Sequence, residues 1–258
     1  MLFDCHSHTE FSSDSTMKLE DALKRAEELN LGLITTEHLD LNSKSNGFKV
    51  DMDSYLKAYK KFRSYKYLIG LELGLSESIY NESLEKLKDK DFDFIIGSVH
   101  SVNDNDIFHT LTTEFPKKQE FYAKYFINMI NCIKLFSNFD SLGHIDYISR
   151  YGSFNDNEIY LSEHGDYIDE VFKNILLKDK VIELNTRRLN DKKTFNCLVD
   201  IYKRYNELGG KYVTLGSDSH KVSDIGCNFK EALTLLAMTS LKPIYFKERK
   251  PEFIKDFK

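Results

Sequence analysis

The chain has 258 residues, of which 41% are hydrophobic and 30% are charged, a balance typical of a folded protein and not of a disordered one. Its formal net charge of −5 argues against nucleic acid as a partner, because proteins that bind a phosphate backbone usually carry a clustered basic face. The sequence has no apolar run of about 18 residues and no signal-peptide pattern, so we predict a cytoplasmic protein without a membrane partner.

Short apolar segments alternate with helical patterns along the whole chain. Seven segments predict strands, at residues 2–5, 33–36, 67–71, 92–96, 141–143, 181–184 and 212–215. The clearest helix lies between the first two, where apolar residues recur at helical spacing from Leu19 to Leu29 and end before Gly32. This alternation predicts an α/β fold with a parallel sheet covered by helices, and both a barrel and a doubly wound sheet satisfy it. The C-terminal segment KPIYFKERKPEF is compatible with a further strand or with a packed tail.

Polar side chains follow the predicted strands at their C-terminal ends. In chain order they are His6 and His8, Glu37 and His38, Glu72, His100, His144, Asn185, and Asp218 with His220. The C-terminal ends of parallel strands meet at one face of a barrel, where active sites are assembled, so we expect these side chains to converge. Burying so many polar groups without partners would cost several kcal/mol each, which favours a bound metal cluster.

The first strand ends in His6-Ser7-His8. Residues i and i+2 of an extended segment point to the same face, so both imidazoles can reach one cation. Asp218-Ser219-His220 repeats this spacing with a carboxylate, and ligands of these two kinds suit zinc, iron or manganese. The six histidines, with Glu72, Asp218 and either Asp14 or Glu37, exceed the ligands of one ion, which predicts two or three divalent ions. The other two histidines, His109 and His164, are predicted to lie at the surface.

Six segments resemble, in order, the signature segments of the polymerase and histidinol phosphatase (PHP) superfamily, in its histidinol-phosphatase branch. They are HSHTEFSSDS, TEHLDL, GLELG, SVHS, GHIDYISRYG and TLGSDSH, and the resemblance spans residues 3–220. The resemblance implies a single PHP-type domain over residues 1–258, folded as a distorted (β/α)7 barrel with a trinuclear metal centre. It also implies hydrolysis of a small-molecule phosphate monoester, L-histidinol phosphate, to L-histidinol and phosphate in histidine biosynthesis.

Carried over by position, the family pattern implies three metal sites. The first would use His6, His8, Glu72 and Asp218; the second would use Glu72, His100 and His144; the third would use Asp14, His38 and His220. Asp14 stands where many relatives have histidine, and Glu37 precedes His38 where many have aspartate. Both acidic residues are therefore kept as candidates for completing the third site.

Candidate residues for the substrate and for the reaction lie in the same region of the predicted fold. Arg150 resembles the family arginine that meets the substrate phosphate, and Asn185 is a candidate substrate contact in the same mouth. Arg150, Asp218 and His220 are the candidate catalytic residues, with His220 or a metal-bound water as the proton donor to the leaving group. For Arg187 and Arg188 a surface or salt-bridge role is favoured, and one of them is kept as a phosphate contact.

Other activities would use the same cluster. A phosphotyrosine-protein phosphatase, a nuclease-like phosphodiesterase and a non-catalytic metal-binding module are the alternatives. The acidic charge balance weighs against the nuclease, and the full set of ligands weighs against the non-catalytic module. A homo-oligomer is compatible with the sequence.

Overall fold

The computed structural model describes residues 1–42, 48–114 and 116–254. Its strands are β1 (Phe3–Asp4), β2 (Gly32–Leu39), β3 (Tyr67–Gly74), β4 (Phe94–Ser98), β5 (Ser101–Val102), β6 (Asn105–Asp106), β7 (Ser141–Leu142), β8 (Val181–Asn185), β9 (Tyr212–Gly216), β10 (Lys242–Lys247) and β11 (Lys250–Phe253). Its α-helices are α1 (Leu19–Glu28), α2 (Met52–Tyr59), α3 (Tyr80–Leu87), α4 (Ile107–Thr113), α5 (Lys118–Leu135), α6 (Leu161–Leu177), α7 (Lys192–Glu207) and α8 (Phe229–Thr239). All seven predicted strands are present.

The seven strands form a closed parallel barrel in the order β1-β2-β3-β4-β7-β8-β9. Each neighbouring pair along this order is parallel. The barrel closes between its first and last strands, because the backbone N–H of Cys5 donates to the carbonyl of Leu215 at 2.7 Å and Ser7 pairs with Ser219. Of the two architectures that the sequence allowed, the distorted (β/α)7 barrel is therefore confirmed.

Helices cover the outside of the barrel, so the strands are shielded on both faces. Every residue of β2 and β3 is buried, which explains why these strands are nearly continuous apolar runs. The side chain of Asp51 accepts from two backbone N–H groups at the start of α2, and Asp191 does the same for Thr194 in α7. None of the described helices is both long and apolar enough to cross a membrane.

A C-terminal hairpin covers the end of the barrel opposite to the strand C-termini. Strand β10 runs parallel to β9, and β11 returns antiparallel to β10. Ile244 and Phe246 of β10 pack against the first residues of other strands, including Phe3 and Phe94. The hairpin turn is held by Arg249, whose Nε donates to Asp140 Oδ2 at 2.5 Å. The C-terminal segment is thus a strand pair that plugs the barrel, and the other end remains open.

Candidate metal centre

Six of the ten polar side chains predicted at the C-terminal strand ends line one cavity. This cavity has a volume of about 1000 Å³. Its wall contains Asp14, His38, Glu72, His100, His144, Asp218 and His220. Aromatic side chains of Phe48, Phe108, Tyr147 and Tyr151 also line it. The parallel barrel thus brings together side chains that lie more than 200 residues apart in the sequence, as the strand ends predicted.

The first group of ligand atoms comes from the segment after β1, from β3 and from the segment after β9. His6 Nε2 and His8 Nε2 lie 3.1 Å apart, and they lie 3.4 and 3.5 Å from the two oxygens of Glu72. Asp218 Oδ1 lies 3.7 Å from His6 Nε2 and 3.5 Å from His8 Nε2. All four side chains are buried. Three of them, His6, His8 and Glu72, have ligand atoms close enough to one another for one ion, and Asp218 faces the two histidines.

The second group shares Glu72 with the first. Glu72 Oε1 lies 3.0 Å from His144 Nε2 and 3.3 Å from His100 Nε2. The two Nε2 atoms of these histidines are 3.5 Å apart. A carboxylate between two sets of imidazoles has the position of a bridging ligand.

The third group lies nearest to the solvent. Asp14 Oδ2 is 2.9 Å from His220 Nε2 and 3.4 Å from His38 Nε2. The imidazole of His8 stacks on both His38 and His220, with ring centroids 4.0 and 4.4 Å away, and the three histidines have ligand atoms close enough for one ion. The side chain of Asp14 is 36% exposed, so this group is the most accessible of the three.

The spacing of these ligand atoms fits divalent cations. Ligands about 2.0–2.1 Å from a tetrahedrally coordinated zinc ion lie about 3.4 Å from one another. Within the three groups the corresponding distances run from 2.9 to 3.7 Å. Imidazole nitrogens and carboxylate oxygens are also the ligand types that zinc and similar divalent ions bind in proteins. The residues therefore fit a metal cluster in both their chemistry and their spacing.

The carboxylates make the cluster attractive to positive charge. Burial opposes protonation of His38, but Glu72 and Asp14 outweigh it and raise the pKa of this imidazole to about 9. Burial also opposes protonation of His100, where Glu72 and Asp40 raise the pKa to about 10. In contrast, burial and the neighbouring His38 and His220 hold the pKa of His8 well below its usual value. His8 is thus kept in the neutral form that binds metals.

Behind the ligands lies a second layer of hydrogen-bonding groups. Glu183 Oε1 lies 2.7 Å from His6 Nδ1, and Asp40 Oδ2 lies 3.2 Å from His100 Nδ1. Ser12 Oγ lies 3.2 Å from His8 Nδ1 and donates to Glu37 Oε2 at 2.5 Å. Such contacts orient ligand imidazoles and fix their tautomers. Glu183 was not among the predicted residues, although its position two residues before Asn185 on the same face of β8 could have indicated it.

The two acidic candidates for the third group differ in position. Asp14 faces His38 and His220, as described above, whereas Glu37 points away from them. Both oxygens of Glu37 accept the backbone N–H of Thr9 at 3.1 Å, and Oε1 also accepts the hydroxyl of this threonine. Among the described residues, Glu37 belongs to none of the ligand groups. It lies behind His8 because adjacent residues of a strand, here Glu37 and His38, point to opposite faces.

Arg150 lies in the cavity wall beside Asp218. Its Nη1 donates to Asp218 Oδ2 at 2.5 Å, and its guanidinium lies 5.3 Å from the centroid of the Tyr147 ring. Its Nε and Nη2 are buried and have no hydrogen-bond partner among the described residues. Two unsatisfied donors on a buried cation beside the ligand groups are suited to an anionic ligand.

Arg187 and Arg188 point in different directions. Arg187 lines the cavity and its Nη1 donates to the backbone carbonyl of Asp218 at 3.2 Å. Arg188 instead pairs with Asp146 and Glu158 and is not part of the cavity wall. Of these two arginines, Arg187 is therefore the one placed to meet an anion in the cavity.

Two further expectations need correction. Asn185 is not in the cavity wall, because its side chain donates to Glu183 Oε2 at 3.2 Å and accepts the backbone N–H of Arg187. It supports other groups from behind instead of facing a substrate.

His164 is not at the surface: it is 4% exposed and packs against the rings of Tyr122 and Phe126. The charged neighbours of His164 in the sequence lie on other faces of α6, so they did not indicate its burial.

This chain is similar to one protein family, to several named proteins and to a solved structure. The family model described as PHP domain matches residues 4–187. A protein of Clostridium acetobutylicum named probable histidinol-phosphatase is 48% identical over 96% of this chain and 98% of its own length. The histidinol-phosphatase of Lactococcus lactis is 30% identical over 90% of this chain and 89% of its own. The crystal structure of histidinol phosphate phosphatase from Lactococcus lactis, in complex with zinc, L-histidinol and phosphate, superposes with a TM-score of 0.90 at 28% identity, covering 97% of this chain and 98% of that one.

Proposed function

Because the chain belongs to the PHP domain family, we propose that it is a metal-dependent phosphomonoesterase that hydrolyses L-histidinol phosphate to L-histidinol and phosphate. The observation that carries this proposal is the set of ligand groups at cation spacing beside a buried arginine with two unsatisfied donors. Two relatives, 48% and 30% identical to this chain, are named probable histidinol-phosphatase and histidinol-phosphatase, and the similarity covers 98% and 89% of their lengths. The activity places the enzyme in histidine biosynthesis, and we expect it in the cytoplasm.

Two to three divalent ions would be held by the three groups described above. His6, His8, Glu72 and Asp218 would hold one ion, Glu72, His100 and His144 a second, and Asp14, His38 and His220 a third. Zinc has the best support, since zinc is present in the related Lactococcus lactis structure, and iron or manganese also suits these ligands. Bound divalent ions polarise phosphoryl oxygens and activate water for attack on phosphorus.

Arg150 would bind the phosphate of the substrate. Its Nε and Nη2 can donate two parallel hydrogen bonds to phosphoryl oxygens, the geometry in which arginine recognises phosphate best. Asp218 holds this guanidinium through Oδ2 while its Oδ1 faces His6 and His8. Asp218 thus fixes the phosphate-binding arginine relative to the metal ligands, so that phosphate and cations meet at one place.

His220 has two candidate roles, as a metal ligand and as a proton donor to the leaving alcohol. Its Nε2 lies 2.9 Å from Asp14 Oδ2, and its Nδ1 lies 3.0 Å from the carbonyl of Asp218. Because both ring nitrogens already face other groups of the cluster, the geometry favours the role of ligand. Arg187 in the cavity wall supplies a second positive charge for the phosphate.

The test is turnover by the purified protein with its bound metals counted in the same preparation. The substrates would be L-histidinol phosphate, an aryl phosphate, a phosphotyrosine peptide and single-stranded DNA. We expect kcat/KM for L-histidinol phosphate to exceed that for each other substrate by about 100-fold or more. Chelation should abolish turnover and zinc should restore it. Full turnover in a metal-free sample, or a preference for the peptide or for DNA, would contradict the proposal.

A further inference from the structure

Glu183 is a buried carboxylate that contacts two of the proposed ligands without facing the cavity. It lies on β8, it is 1% exposed, and it is absent from the cavity wall. Its Oε1 lies 2.7 Å from His6 Nδ1. Its Oε2 accepts the backbone N–H of His144 at 2.7 Å and the side-chain amide of Asn185 at 3.2 Å. One carboxylate therefore touches a ligand from each of the first two groups.

The contact with His6 decides which nitrogen of this imidazole carries the proton. Next to a carboxylate oxygen, Nδ1 is the protonated nitrogen and donates. The lone pair of the ring is then on Nε2, the atom that faces Glu72 and His8. A carboxylate behind an imidazole also increases the electron density that the ring offers to a cation.

The contact with His144 acts through the main chain. The backbone N–H that Glu183 accepts follows directly after Gly143, in the segment that carries the His144 side chain from β7 towards Glu72. Fixing this N–H fixes the direction in which the imidazole leaves the strand. Asn185 in turn holds Glu183, which gives that buried asparagine a supporting role.

The sequence leaves space for this arrangement at Gly216, the last residue of β9. A Cβ atom at this position would lie 2.1 Å from Glu183 Oε1 and 2.5 Å from His6 Cβ. Any side chain there would displace the carboxylate, the histidine or both. Glycine at 216 is therefore needed for the close approach of Glu183 to His6.

We propose that Glu183 is a positioning residue that sets the metal affinity of the first two groups, by fixing the tautomer of His6 and the backbone of His144. The inference rests on the ligand groups of the proposed function. The third group has no contact with Glu183 among the described residues, since His38 and His220 are oriented by Glu72, Asp14 and the carbonyl of Asp218. Affinity for an ion at the third group should not depend on Glu183.

The test is Glu183→Gln with zinc binding as the readout and no substrate present. Glutamine keeps the shape and can still accept from His144, but its amide cannot both accept from His144 and accept from His6 Nδ1. His6 would then favour the tautomer with the proton on Nε2, which blocks the lone pair needed by the cation. We expect affinity for the ions of the first two groups to fall about 10- to 100-fold in competition with a chromophoric chelator. The affinity for the ion of the third group should stay unchanged.

Two more variants separate positioning from general damage. Glu183→Asp keeps the charge but withdraws it by one methylene, and it should weaken the same ions. Asp93→Asn removes a buried carboxylate at the opposite end of the barrel, where Asp93 accepts the backbone N–H of Ile69 at 3.0 Å. This control should leave zinc affinity unchanged. Excess zinc should also restore kcat of Glu183→Gln, which a merely unfolded site would not permit.

The outcomes are distinct. Wild-type zinc affinity in both Glu183 variants, or an equal loss in Asp93→Asn, overturns the inference. If Glu183→Gln does not fold, Glu183→Asp with wild-type affinity overturns it equally. If the wild-type protein binds zinc but does not hydrolyse L-histidinol phosphate, the proposed function fails, and the zinc affinities of the Glu183 variants still decide the role of Glu183.

Discussion

Replacement of Arg150 by lysine isolates the contribution of the arginine fork to phosphate binding. The side chain of Arg150 is 7% exposed, and one of its nitrogens is held by Asp218. Lysine keeps the positive charge and can still pair with Asp218, so the cluster is not left with an uncompensated carboxylate. What is lost is the pair of donors, Nε and Nη2, which have no protein partner among the described residues.

The expected loss follows from these two hydrogen bonds. A hydrogen bond to a charged group contributes about 1.5–3 kcal/mol, and lysine retains part of the attraction as a point charge. Taking the lower end for both bonds gives about 3 kcal/mol, or a fall in kcat/KM of about 100-fold, since each 1.36 kcal/mol is tenfold. The measurement is steady-state hydrolysis of L-histidinol phosphate with the metal content of each sample determined.

Arg188→Lys is the matched control, because Arg188 pairs with Asp146 and Glu158 outside the cavity wall. We expect its kcat/KM to stay within about threefold of wild type, the size of effect usual for substitutions away from a site. The reasoning would be refuted if Arg150→Lys, with a wild-type metal content, also stayed within that range. An equal loss in both variants would point to a general effect of removing arginine.

Three further predictions concern the metal centre and the fold. Asp14→Asn should lose about one ion per chain on dialysis, because the third group is the most exposed and depends on this carboxylate. If metal analysis shows that the variant retains all its ions, Asp14 is not a ligand. Phe246→Ala should leave a cavity in the barrel plug and lower the free energy of unfolding by about 3 kcal/mol, as measured by urea titration. Lys247→Ala, on the exposed face of the same strand, should change this free energy by less than about 0.5 kcal/mol. Burial lowers the pKa of His164 below its ordinary value of 6.5. As pH falls, the unfolded chain therefore binds a proton at this histidine before the folded chain does. The contribution of a neutral His164 to stability is lost as pH falls below 6.5. Metal-free His164→Gln should therefore lose less stability than the metal-free wild type between pH 7.5 and 5, and parallel losses would refute this assignment.

The sequence by itself determined the elements and most of the ligands. Alternating apolar and helical segments located all seven barrel strands, because strand and helix periodicities are local properties of the chain. His6 and His8 could be placed on one face, because side chains two positions apart in extended backbone point to the same side. The order of the six motifs then gave the family and the three proposed groups. The structure brings the members of each group to within a few ångströms of one another.

The tertiary structure decided which side chains face the cavity and which lie behind it. Glu183 meets His6 across 177 positions of sequence, and this contact depends on the register between strands at the closure of the barrel. Long-range packing also placed Asp14 beside His38 and His220. Closure of the barrel and the plug formed by the C-terminal hairpin were likewise undecided by the sequence. The physical reason is that periodicity fixes which face of an element is buried, whereas the partner it is buried against is set by long-range packing.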